Sequence, residues 1–211
     1  MRVRTRTALG SVLRKYLLVI VCFVVVSSPP FDKVSHCADI SLTPVFGTGP
    51  YEVLIFTDYF CPPCQEVEPG IEPLLEKLQA GGAKVTFIDV PFHKTTPLYA
   101  KYYLYAANNR GTYQDTFRTR KALFHLAGEK IALSEDSLAS ALREKNISFR
   151  PYDVKPVFSE WNNIIKAYKI DSTPTLVIKY RNGNSRKYTG SREIMSGLSE
   201  ISAEMRNARS R

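Results

Sequence analysis

The spacing of hydrophobic positions changes several times along the chain, and each change marks an element. After the Gly47-Thr48-Gly49-Pro50 turn, Tyr51-Glu52-Val53-Leu54-Ile55-Phe56-Thr57 is a run of aliphatic and aromatic residues with the length of a buried strand. From Cys61 the period becomes helical. Val67, Ile71, Leu74, Leu75 and Leu78 share one face, Glu66, Glu68, Glu72 and Glu76 stand between them, and Gly81-Gly82 stops the helix. Pro69 lies inside this helix and predicts a kink, because its ring clashes with the carbonyl four residues back and it has no N–H to donate. Lys84 to Val90 reads as a second strand ended by Pro91. Strand, helix and strand within about 40 residues form a βαβ unit, with a right-handed crossover expected.

Residues 96–170 carry helical stripes and no convincing strand; Asn108, Asn109, Gly111, Gly128 and the stretch from Asn146 to Pro156 divide them into about four helices. Strand character returns at Thr175 to Tyr180 and near Arg186 to Tyr188. The Asn182-Gly183 pair between them predicts a hairpin with a type I′ turn. Ser191 is placed to cap a last helix with Ile194, Leu198, Ile201 and Met205 on one face. The tyrosines at 99, 102, 103, 105 and 113 fall at helical spacing and read as core. The fold class that follows is α/β: a mixed central sheet with helices on both faces and a helical insertion at about residues 96–170.

Ahead of this body, residues 1–38 resemble an export signal. Basic residues precede an uninterrupted apolar run from Tyr16 to Val26, which Ser27-Ser28-Pro29-Pro30 ends. The run is shorter than the roughly 20 apolar residues of a membrane span. A signal peptide followed by a domain at 39–211 is therefore expected, with an uncleaved N-terminal anchor as the alternative. The chain has no twin-arginine pair, so a periplasmic or cell-envelope location by ordinary export is the expectation. The segment also holds six Lys and Arg against one Asp, more than half of the chain's net charge of +9. The remaining charge is scattered, with no basic stripe that could track phosphates, so nucleic acid is not an expected partner.

Of the four cysteines, Cys22 lies in the apolar run and Cys37 at the processing region, leaving Cys61 and Cys64 as the only pair in the body. A bridge across two residues closes too short a loop to stabilise the fold much, so the pair is there for chemistry or for metal. At the joint between a strand and a helix, Cys61 meets unpaired N–H groups and the positive end of the helix dipole. These favour a thiolate and mark it as the nucleophile. Cys64, one turn inward, is placed to resolve a mixed disulfide formed at Cys61. The spacer residues Pro62 and Pro63 are tolerated because first-turn N–H groups have no intrahelical acceptor to lose. A zinc site would need four ligands; His36, Cys37, His93 and His125 show no second ligand spacing, and no metal is expected.

These residues resemble the thioredoxin-fold thiol:disulfide oxidoreductases, specifically the DsbA-like branch. Phe56-Thr57-Asp58-Tyr59-Phe60-Cys61-Pro62-Pro63-Cys64 is similar to the family's strand-to-active-site segment, and Pro69 stands where these proteins kink the helix. The helical block falls where the branch inserts one, and Thr173-Pro174-Thr175 is similar to its cis-proline loop. The resemblance implies that Thr173-Pro174 is cis, packs against the cysteine pair and offers the backbone of Thr173 to an extended substrate peptide. Two departures stand out. Many relatives carry a buried acid six residues before the first cysteine, where this chain has Ile55, and the spacer is Pro-Pro where strongly oxidising relatives have Pro-His. Asp58 and Glu66, the nearest acids, read as solvated charges.

The expected function is an envelope thiol:disulfide oxidoreductase that donates the Cys61-Cys64 disulfide to unfolded exported proteins, with no cofactor. The resemblance implies reoxidation by a membrane quinone-linked thiol oxidase, and a monomer is expected. The alternatives are a reductase or isomerase of the same fold, or a peptide-binding chaperone or metallochaperone on a thioredoxin scaffold.

Overall fold

The computed structural model describes residues 42–109, 112–131 and 134–209. The expected signal segment, with Cys22, His36 and Cys37, lies outside the described residues. A five-stranded sheet runs in the order β1-β3-β2-β4-β5, built from β1 (Val45–Phe46), β2 (Tyr51–Thr57), β3 (Ala83–Asp89), β4 (Thr175–Lys179) and β5 (Ser185–Thr189). Strands β2 and β3 pair in parallel from Tyr51↔Ala83 to Thr57↔Asp89, joined by α1 (Pro62–Ala80). The other pairings, β1 on β3, β4 on β2 and β5 on β4, are antiparallel. Val53, Leu54, Ile55 and Phe56 are all buried on β2, which means both faces of the sheet are covered there, as a continuous apolar run requires.

Four helices stand between β3 and β4: α2 (Thr96–Ala107), α3 (Tyr113–Gly128), α4 (Glu135–Glu144) and α5 (Lys155–Ala167). A last helix, α6 (Ser191–Arg209), follows β5. The starts of α3 and α4 are each fixed by a capping box, Thr112 with Asp115 and Ser134 with Ser137, which satisfies N–H groups that have no partner inside the helix. Tyr99, Tyr102, Tyr103 and Tyr113 are buried and Tyr105 packs against the core. Helix α1 packs on α6 and α3, so the element that follows the cysteines is held from two sides.

Two local features differ from the sequence expectations. Strand β1 is only two residues long, too short to show a period, and it is held by the β3 ladder and by Phe46 against Phe87 and Tyr113. The β4–β5 hairpin is not a type I′ turn: among the two residues of the Asn182-Gly183 pair only Gly183 has positive φ, at 83°. Gly183 N–H donates to Tyr180 O and Tyr180 N–H to Asn184 O, the three-residue hairpin in which a turn is followed by one left-handed residue. As the sequence indicates, Pro69 lies inside helix α1, which also spans Pro73.

Candidate active site

Strand β2 ends at Thr57, and the next four residues turn the chain into α1. Cys61 is the N-cap of that helix, with extended φ and ψ of −82° and 116°, followed by Pro62 and Pro63 in the first helical positions and Cys64 in the third. Prolines are well suited there, since their fixed φ is already helical and the missing N–H groups had no partner to lose. Pro62 and Pro63 are exposed, whereas Cys61 is 8% and Cys64 0% accessible. The two thiols are therefore ranked by access: a large reactant reaches Cys61 first. Burial pushes the Cys64 thiol up, against a lowering backbone hydrogen bond from Asp58.

The Thr173–Pro174 peptide bond is cis. The Cys61 thiol donates to the carbonyl oxygen of Thr173 at 3.3 Å, so the loop leading into β4 lies directly against the first cysteine although 112 residues separate them. Pro174 is buried and its carbonyl accepts from Gly190 N–H at 2.9 Å, while Ser191 Oγ donates to Pro63 O at 3.2 Å. Ser191 thus ties the start of α6 to the spacer between the cysteines.

Asp58 is not a solvated charge. Its side chain is fully buried and accepts from Phe60 N–H at 2.8 Å and His93 N–H at 3.0 Å, with His93 Nδ1 at 3.1 Å from the same carboxylate. Cys61 N–H donates to Asp58 O, so one residue organises the turn that presents Cys61 and pins it to the loop after β3. Glu66 is exposed, as expected of a solvated charge. Gln65 adds a further brace by donating to Tyr59 O at 2.8 Å.

Beneath the turn lies a cluster that the sequence pattern conceals. Arg120 of α3 is fully buried and donates to Glu68 of α1 at 2.7 and 3.1 Å, to Thr57 Oγ1 at 3.0 Å and to Asp89 at 3.5 Å. Tyr59 O–H donates to the other oxygen of Asp89 at 2.9 Å, and the guanidinium lies 4.2 Å from the Phe87 ring centroid. Burial pushes Asp89 up to about 6, against the lowering influence of Arg120 and the Tyr59 hydrogen bond. Glu68 stands one helical turn after Cys64 on the same buried face. The cluster therefore joins the inserted helices, the end of the parallel strand pair and the cysteine-bearing helix. His125, by contrast, pairs with Glu129 at the surface.

Among the described residues no three or more His, Cys, Asp or Glu side chains converge on a point that could hold a metal, and no helix is long and apolar enough to cross a membrane. No curated protein sequence matches the chain. Its fold is similar to that of a periplasmic thioredoxin-like protein from Salmonella enterica serovar Typhimurium, at 17% identity over 78% of this chain and 91% of that one, with a TM-score of 0.59. It is similar to Proteus mirabilis ScsC in a transitional conformation, at 19% identity over 79% and 75% of the two chains and a TM-score of 0.60. A third structure, the thiol-disulfide exchange protein α-DsbA2 from Wolbachia pipientis, shares 17% identity over 75% and 87%, with a TM-score of 0.52. The family model described as thioredoxin matches residues 48–195. That span takes in β2, the cysteine turn, all four inserted helices and the cis-proline hairpin, and the chain belongs to the thioredoxin family, with the fold of its DsbA-like branch.

Proposed function

We propose that the protein is a cell-envelope thiol:disulfide oxidoreductase that donates a Cys61-Cys64 disulfide to exported proteins. The observation that carries this reading is the placement of Cys61 at the start of α1, hydrogen-bonded to Thr173 O beside the cis proline, with Cys64 buried one turn behind. A substrate thiolate attacks the Cys61 sulfur, the Cys61–Cys64 bond breaks, and Cys64 leaves and takes up a proton. Burial of Cys64 favours that protonated form, which pulls the step toward the mixed disulfide. A second substrate thiolate then attacks the substrate sulfur and expels Cys61. Two substrate thiols become one disulfide, and two electrons remain on the enzyme pair. Thr173, with its backbone at the first cysteine, aligns the extended substrate, and Pro174 holds that loop in place. Exposed Pro62 and Pro63 keep the spacer free of any side-chain charge.

Reoxidation requires an external electron acceptor, and a membrane quinone-linked thiol oxidase is the partner that the DsbA-like fold suggests. Export is supported by the basic and apolar segment at residues 1–38 and by the periplasmic description of the Salmonella neighbour. The deciding experiment pairs two measurements. In intact cells, alkylation of free thiols should find Cys61 and Cys64 mostly oxidised; a mostly reduced pair assigns the protein to disulfide reduction or isomerisation. A Cys64→Ala variant should accumulate mixed disulfides through Cys61. A phenotype that survives replacement of both cysteines by Ser identifies a chaperone and overturns the redox reading.

A further inference from the structure

The loop after β3 brings to the cysteine turn an ionisable side chain that the exchange steps above do not use. The Asp58 carboxylate, buried in that turn, accepts from Phe60 N–H at 2.8 Å on one oxygen and from His93 N–H at 3.0 Å on the other. Both are main-chain donors, so the carboxylate is satisfied whatever side chain stands at position 93. The His93 imidazole is therefore surplus to the hydrogen-bond needs of the turn. It nevertheless sits on the carboxylate, with Nδ1 3.1 Å from the same oxygen, while about half of the side chain (49%) stays in water. What the ring adds is a charge that solvent protons can reach.

That charge bears on both sulfurs. Cys61 N–H donates to Asp58 O at 3.1 Å, and a backbone hydrogen bond from Asp58 also acts on Cys64. The main chain of Asp58 thus meets both cysteines, and its carboxylate lies inside the turn that carries them. A neighbouring negative charge disfavours a thiolate and a neighbouring cation favours it. The disulfide carries no charge, whereas the reduced pair carries the Cys61 thiolate. Any group that favours the thiolate therefore favours the reduced pair and makes the disulfide a stronger oxidant. Histidine is the side chain whose charge ordinarily changes between pH 5 and 8. Around the ring stand also Lys94, the exposed cation next in the loop, and the Phe60 ring, with its centroid 6.1 Å away. Tyr99 of α2, which packs on Phe60, is pushed up to about 12 by burial.

We propose that His93 is a positioning residue for the exchange. Its imidazolium, laid on the Asp58 carboxylate, offsets the negative charge of the turn and strengthens the Cys61-Cys64 disulfide as an oxidant; loss of the ring proton weakens it. The inference rests on the disulfide-exchange reading above and adds a residue that sets how strongly the pair oxidises.

Two substitutions fix the charge at this position. His93→Gln is neutral and His93→Lys is charged, and both keep the N–H of residue 93 together with a side-chain donor for Asp58. The native chain and each variant are equilibrated with reduced and oxidised glutathione, and the reduced fraction of the pair is read by alkylation and mass spectrometry. In that reaction two glutathione thiols give up two electrons and two protons and become one disulfide. The Cys61–Cys64 bond takes the electrons, Cys64 takes one proton and the other goes to solvent, leaving Cys61 as the thiolate. At pH 7 the equilibrium constant for reduction of the pair should be about three-fold larger for His93→Lys than for His93→Gln, a small factor because the site is half in water. The native chain should lie with the Lys variant at pH 6 and with the Gln variant at pH 8.5. A merely structural role for His93 would instead move both variants in the same direction at every pH, and that result would overturn the proposal. Equal constants for the two variants would also overturn it, and if the native chain still equilibrates with glutathione the redox reading stands. A native chain that never equilibrates with glutathione defeats the redox reading and this inference together.

Discussion

Replacement of Arg120 by Met tests the buried cluster most directly. The substitution keeps an unbranched apolar side chain against Phe87 but removes the cation that bonds Glu68 and Asp89 in the core. Because Arg120 is 0% and Glu68 2% exposed, water screens neither charge, and breaking such a pair costs about 3–5 kcal/mol. Much of this is the penalty of leaving a carboxylate buried alone, so the loss should depend on pH. Burial already raises Asp89 to about 6 with the guanidinium pulling it down; without that pull it rises further. A carboxyl whose folded-state pKa is raised binds its proton more tightly in the folded state, so its contribution to stability falls as pH rises through the shifted range and is largest in acid. The variant therefore recovers stability relative to the native chain on acidification. The penalty at pH 8 should shrink by up to about 1.4 kcal/mol at pH 5 for each unit by which Asp89 rises. Urea unfolding followed by fluorescence of Trp161, the chain's one tryptophan, measures both values. A penalty under about 1 kcal/mol at pH 8, or one independent of pH between 5 and 8, would falsify the view that Arg120 neutralises this core.

Other perturbations have equally definite outcomes. In a Cys61→Ser variant, Cys64 should alkylate with iodoacetamide at pH 8 at least about ten-fold more slowly than free cysteine, since burial both raises the thiol and shields it; a rate like that of free cysteine would contradict the placement. Thr112→Ala removes the hydroxyl that accepts from Asp115 N–H at the start of α3, and should lower stability by about 0.5–2 kcal/mol in the same urea assay. Gly49→Ala should prevent a stable fold at 37 °C, because φ there is +134° and a Cβ would fall on the carbonyl of Gly82; melting by circular dichroism tests it, and a native-like transition would refute the close approach.

What was legible in the sequence and what was not have a common physical basis. Strand β2 was readable to the residue because an unbroken apolar run needs both faces buried, and only a central strand provides that. The first turn of α1 was readable because two prolines beside a cysteine fit few places other than a helix start. Cys61 and Thr173 meet as the resemblance implied, a contact across 112 residues that no local pattern carries. The charged groups are where local reading failed. Glu68 sits among solvent-facing glutamates in the helical stripe and Arg120 in a basic stretch, yet the two meet in the core across 52 residues. Asp58 is hidden for a similar reason: its donors come from its own turn and from a histidine 35 residues away. A periodicity argument assigns a charge to solvent by default, and only tertiary pairing reverses that assignment. The hairpin turn shows the same limit at smaller scale, since Asn-Gly marks a reversal but the strand register decides which of its residues turns left-handed.

The outer edge of the sheet has a bearing on how the protein avoids pairing with other chains. β5 is a short, mostly exposed terminal strand of sequence Ser-Arg-Lys-Tyr-Thr, and Lys187 reaches the carbonyls of Tyr168 and Lys169 while Arg186 pairs with Glu200. A half-folded chain in search of a partner would zip onto any bare, greasy strand it met; here it meets two cations whose hydration it would have to strip. Polymerisation along this side is therefore discouraged, whether the approaching strand belongs to a second copy or to another, incompletely folded chain.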